Sequence, residues 1–162
     1  MKQLLSLNIL LTLLVSGCTA GSAQGPLFAM HDPVPAEQSV LYVYKPATAA
    51  QDGVTTCLTL VMNGQEQGCL RGQGYLRVTT DPGAYEVALV NKAGFGFKLL
   101  SFTLDLEPGS AKYLEYRFGA SNPRALDRRY AGAGTVISGD HSIAPVAENI
   151  ATKQLALLRE SI

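Results

Sequence analysis

Alternation of apolar and polar positions dominates the middle of the chain. In LLSFTLDLE, Phe102, Leu104 and Leu106 share one parity and Ser101, Thr103 and Asp105 the other. That period of two sends successive side chains to opposite faces of a strand. KYLEYRF repeats it, with Leu114, Tyr116 and Phe118 opposite Tyr113, Glu115 and Arg117. VLYVYKP, Val40 to Pro46, is β-branched and aromatic, and Pro46 stops it. TTCLTLVM, EQGCL and YLRVTT read as further strands, and AYEVALVN is apolar on both parities, as a strand covered on two sides must be.

Turn chemistry separates these runs. Asn63-Gly64 is a hairpin signal, and Asp81-Pro82-Gly83-Ala84 and Glu107-Pro108-Gly109-Ser110 place Pro and Gly where a type II turn needs them. About seven short strands without helical period predict an all-β protein, an antiparallel β-sandwich over residues 38–118. Residues 119–143, rich in Gly, Ser and Asn, read as a loose excursion. From Pro145 the period changes. Val146, Ala147, Ile150, Ala151, Leu155, Leu157 and Leu158 fall on one half of a helical wheel and Glu148, Asn149, Thr152, Lys153, Arg159 and Glu160 on the other. This predicts a C-terminal amphipathic helix over 144–162 that packs on the sandwich, with docking to a partner or membrane surface as the alternative.

The first residues are different again. Lys2 followed by the apolar run Leu4 to Val15 has the form of an export signal over residues 1–17, too short at roughly 12 residues for the ~20 of a spanning helix. Val15-Ser16-Gly17-Cys18 resembles the bacterial lipobox, with Val15 where Leu is commoner. The resemblance implies a diacylglycerol on the Cys18 thiol, cleavage before Cys18 and acylation of the new amino group. Several acyl chains on one residue make a durable anchor where one is marginal. Thr19, where Asp would retain such a protein in the inner membrane, implies by the same resemblance the outer membrane, with the domain facing the periplasm. Residues 18–37 are small and polar, and read as a flexible tether with a reach of roughly 25 Å.

Charge and cysteine content sharpen this picture. Lys and Arg number 13 and Asp and Glu 13, so the net charge is zero and no field recruits nucleic acid. Of the three cysteines, acylation of Cys18 leaves Cys57 and Cys69 in an oxidising compartment, flanking the Asn63-Gly64 turn. A three-residue loop, Met62 to Gly64, would set them directly opposite each other, and a two-residue loop would offset them by one. A cross-strand disulfide is expected, against a pair of buried thiols.

YVYKP, VMNGQEQG and DPGAYEV, in this order over Val40 to Phe118, resemble a family of small bacterial envelope proteins, often lipoproteins, the domain of unknown function 2846. Lys45 stands where the family pattern has Arg, and Asp81 where it has Pro. The resemblance implies a transthyretin-like (prealbumin-like) sandwich and no catalytic residues.

The chemistry-bearing residues agree. His31 lies in the tether and His141 in the excursion, without a nucleophile placed beside either. Asp140-His141 lacks a further His or free Cys at ligand spacing, so no metal and no cofactor are expected. AGAGT, Ala131 to Thr135, lacks phosphate-loop spacing. Two interaction features remain. Phe95 and Phe97 sit among glycines between Lys92 and Lys98, and are expected to fold back onto the core, an exposed aromatic tip being the alternative. Arg124, Arg128 and Arg129 form a basic cluster that could hold a phosphate or carboxylate, against a solvated cluster without a ligand.

The sequence therefore predicts a lipid-anchored envelope protein, a non-enzymatic binding or assembly module whose partner is another envelope protein or a cell-wall component. The alternative is a carrier of small apolar ligands, with a pocket in the sandwich or under the helix.

Overall fold

The computed structural model describes residues 21–30, 33–46, 57–92, 96–119, 136–138 and 140–162. Among these, the strands are β1 (Ser39–Tyr44), β2 (Leu58–Met62), β3 (Gln65–Leu70), β4 (Gly74–Thr80), β5 (Gly83–Asn91), β6 (Phe97–Leu106), β7 (Ser110–Phe118), β8 (Val136–Ser138), β9 (His141–Pro145) and β10 (Arg159–Glu160). One helix, α1 (Glu148–Leu155), separates β9 from β10. A six-stranded sheet in the order β10-β4-β1-β7-β9-β8 faces a four-stranded sheet in the order β3-β2-β5-β6. The fold is an all-β sandwich.

The predicted alternation holds where it was cleanest. Leu100, Leu106, Leu114 and Tyr116 enter the core between the sheets, with Leu41, Val43, Leu60 and Leu89, and Phe102, Leu104 and Phe118 pack against it. Strand order follows a different logic. The Asp81-Pro82 and Glu107-Pro108-Gly109 turns do not close hairpins. They carry the chain from one sheet to the other, so that β4 and β5, and β6 and β7, lie in different layers. Gly109 sits at φ 66°, the left-handed conformation its turn requires. Pairing is mostly antiparallel, but β1 runs parallel to β7 and β10 parallel to β4.

β1 is buried along its whole length because its two faces serve two cores. Leu41 and Val43 face the other sheet. Val40, Tyr42 and Tyr44 face a second core, closed by Ala151 and Leu155 of α1 and by Leu158. The helix expected over 144–162 thus spans only Glu148–Leu155, because Pro145 is still bound in β9 and the chain resumes an extended path at Arg159. Its buried face is narrower than the predicted half wheel, leaving Ile150 and Leu157 exposed. The excursion expected over 119–143 contributes β8 and the start of β9 to the sheet.

The tether expected over 18–37 is, from Gly21 to Phe28, a strap on the domain. The Gly72 amide donates to the Gly21 carbonyl at 2.9 Å, the Ala23 amide to the Gly72 carbonyl at 3.0 Å and the Gly25 amide to the Glu160 carbonyl at 2.9 Å. Phe28 then packs against the second core. Two glycines permit this close approach. A Cβ on Gly25 would lie 2.6 Å from the Glu160 carbonyl oxygen, and one on Gly74 2.6 Å from the Ala23 Cβ.

Candidate functional site

The turn joining β2 to β3 has two residues, Asn63 and Gly64, with φ of 47° and 79°. Both are positive, as a type I′ turn requires. Val61 pairs with Glu66, but Leu60 pairs with Gly68, so Gln67 is bulged out of the ladder. Cys69 therefore stands opposite Thr59, and Cys57, two positions away, shares its face. An unbroken ladder would have put Cys69 opposite Leu58, on the core side. Cys57 and Cys69 form a disulfide, with Cα atoms 5.3 Å apart. The expected bridge is present, though neither simple loop register produced it. It borders a shallow groove on the outer face of the four-stranded sheet, flanked by Thr59, Glu66 and Lys92. Lys92 is ion-paired with Glu66.

A polar cluster lies beneath α1. Glu115 is among the most buried residues of the chain. One carboxylate oxygen accepts from Arg117 Nε and the other from Gln154 Nε2 at 3.3 Å, while Gln154 Oε1 accepts from the Tyr44 hydroxyl at 2.6 Å. These groups tie the helix to the sheet and hold a buried charge against its counter-charge. The alternation of KYLEYRF places Glu115 on this face, but its burial depends on the helix that covers it.

Beside this cluster is an aromatic layer. Tyr42 and Tyr113 stack at 5.1 Å, and Phe28 meets Tyr42 and Tyr75 edge-on at 5.8 and 5.6 Å. Burial, reinforced by Glu148 and Tyr42, pushes the Tyr113 hydroxyl up to about 12. Burial, with Glu160 close by, also raises Tyr75.

Of the residues singled out in the sequence, Cys18, Phe95, Arg124, Arg128 and Arg129 lie outside the described residues. Phe97 does not fold back onto the core. It is 62% exposed at the start of β6, where it pairs with Asn91 at the end of an edge strand. His141, expected in a solvated loop, opens β9, with Nδ1 2.7 Å from the Tyr116 hydroxyl and its ring 5.1 Å from that of Phe118. Nothing in the local sequence signals that contact, which depends on β9 pairing with β7.

Among the described residues, no three His, Cys, Asp or Glu side chains gather as a metal site would require. No helix among them is long and apolar enough to cross a membrane. A family whose description is protein of unknown function (DUF2846) matches residues 35–128, more than half of the chain. No curated protein and no solved structure matches it.

Proposed function

The chain belongs to the DUF2846 family of proteins of unknown function, and we propose that it is a lipid-anchored envelope protein, a non-enzymatic binding or assembly module. The observation that carries this reading is the Cys57–Cys69 disulfide. Disulfides persist in oxidising compartments, which implies export. Pairing these two of the three cysteines leaves Cys18, which ends the export-type segment with lipobox spacing. Two or three acyl chains on that residue, at about 0.8 kcal/mol per buried CH₂, would hold the domain at the membrane. Thr19 directs the reading to the outer membrane and the periplasm.

The binding role rests on how the polar groups are used. Glu115 is committed to Arg117 and Gln154, and Tyr116 to His141, contacts that serve packing. The space between the sheets is filled by residues such as Leu41, Leu60 and Leu89, and that beneath α1 by Tyr42, Tyr113 and Leu155. Among the described residues this favours recognition on the surface over carriage of an apolar ligand inside.

Membrane fractionation of the wild type and Cys18→Ala tests the anchor. The wild type is expected with the outer membrane and the variant outside that fraction. Identical partition of the two would overturn the reading. In situ crosslinking of the wild type then searches for the partner.

A further inference from the structure

Among the described residues, the buried core between the sheets draws on β1 to β7 and β9. The strap, α1 and β10 give it nothing. They serve the second core instead, where Phe28, Leu155 and Leu158 cover Tyr42, Tyr75 and Tyr113. The first core is thus complete without these three segments, while the second has them as one wall.

Hydrogen bonds make the three segments depend on one another. β10 pairs with β4 through two residues, Arg159 and Glu160, and Ser161 adds a bond from its amide to the Tyr75 carbonyl at 2.8 Å. On the other side of β10 the Gly25 amide donates to the Glu160 carbonyl and the Glu160 amide to the Pro26 carbonyl, both at 2.9 Å, and the Phe28 amide donates to the Leu158 carbonyl at 3.0 Å. From Gly25 to Phe28 the backbone bonds of the strap therefore run to residues 158–160. α1 leads into that stretch, the Leu158 amide donating to the Leu155 carbonyl at 2.8 Å, and Gln154 fastens the helix to the sheet through Tyr44 and Glu115.

Each segment is weakly held by itself. A two-residue strand and an eight-residue helix are shorter than either element needs for stability on its own, and Ala147 at the helix start supplies no side-chain cap. Glu115 also works against closure. Its carboxylate, buried beneath α1, forgoes hydration that opening restores, and Arg117, its neighbour on β7, pairs with it without help from the helix.

We propose that the strap, α1 and β10 form a clasp that opens and closes as one unit while the two-sheet sandwich stays folded. Opening uncovers the stacked Tyr42 and Tyr113 and the Glu115 carboxylate, a face hidden in the closed form. A partner that binds the open form alone draws the equilibrium toward it. The clasp needs no lipid anchor, and its test is independent of one.

Native-state hydrogen exchange of the full chain, disulfide intact, in rising sub-denaturing urea reads this out. The Gly25, Phe28, Ala151 and Ser161 amides should share one opening free energy and one urea dependence, both smaller than those of Leu89 in the interior strand β5. In Phe28→Ala, protection of Gly25, Ala151 and Ser161 should fall by a common factor, at least about tenfold. In Val87→Ala, which trims the core between the sheets, protection of Leu89 should fall while the clasp amides keep theirs. Exchange of the clasp amides only together with Leu89 would overturn the proposal. So would separate openings of the three segments, or a loss in Phe28→Ala confined to Gly25.

Discussion

Tyr42 and Tyr113 lie directly opposite each other across the parallel β1–β7 pair, ring centroids 5.1 Å apart and planes within 5°. Their strands meet because both turn one parity toward α1 and the other toward the second sheet. The stack is the centre of the second core, and Phe28 of the strap closes it edge-on.

Removal of that ring should therefore cost as much as a deletion in the main core. Tyr42→Ala is expected to lose about 3–5 kcal/mol in urea unfolding, and Tyr113→Phe, which keeps the ring, less than about 1.5 kcal/mol. Equal losses would show that the hydroxyl, not the stack, matters.

Alkaline pH should destabilise the fold through Tyr113. Tyr113 is pushed up to about 12, first by burial and then by Glu148 and Tyr42, from an ordinary value of 10.0. Below pH 10 both folded and unfolded forms keep the proton and stability is intact. Between 10 and about 12 the unfolded chain ionises while the folded chain does not, so stability falls as pH rises. Urea midpoints measured from pH 8 upward should fall above 10, less steeply in Tyr113→Phe. A flat profile through that window contradicts the burial.

The disulfide closes a short loop, with a sequence separation of 12. Cys57→Ala/Cys69→Ala should lose about 3 kcal/mol of stability while keeping the fold, as read by thermal melts and circular dichroism. Deletion of Gln67 removes only the bulged residue and leaves Leu60 opposite Gly68. The bridge should still form, and two titratable thiols in that variant would refute the register.

Gly74 admits no side chain, because a Cβ there would lie 2.5 Å from Ser161 Oγ and 2.6 Å from the Ala23 Cβ. Gly74→Val should push the strap and the C-terminal residues off β4 at a cost of about 2 kcal/mol. Hydrogen exchange reads this out. The Ala23 and Gly25 amides, protected in the wild type by Gly72 and Glu160, should exchange at near-unfolded rates in the variant. Retained protection would contradict the close approach at Gly74 as the condition for the strap.

The strands were legible because local signals set them: parity in LLSFTLDLE and KYLEYRF, Pro46 ending β1, and Asn63-Gly64 closing a hairpin. Sheet membership was not. A Pro-Gly turn reverses the chain equally well within a sheet or between sheets, so nothing local distinguishes the Asp81 turn from a hairpin. The parallel β1–β7 pair joins residues far apart in sequence and leaves no turn to read. The strap was missed for a related reason. Gly25 and Gly74 look like linker glycines until their close approach to Glu160, Ser161 and Ala23 is seen. Glu115 was placed on a polar face by its charge, whereas α1 and Arg117 make that face an interior.

The proposed anchor at Cys18 and the bridge between Cys57 and Cys69 each leave a signature in the mass of the chain. Intact mass of the protein extracted from its native membrane, with and without reductant, tests both at once. The expected mass is that of a chain beginning at Cys18, heavier by its acyl groups, and gaining the mass of two hydrogens on reduction. An unacylated chain would contradict the anchor, and a mass unchanged by reduction would contradict the bridge.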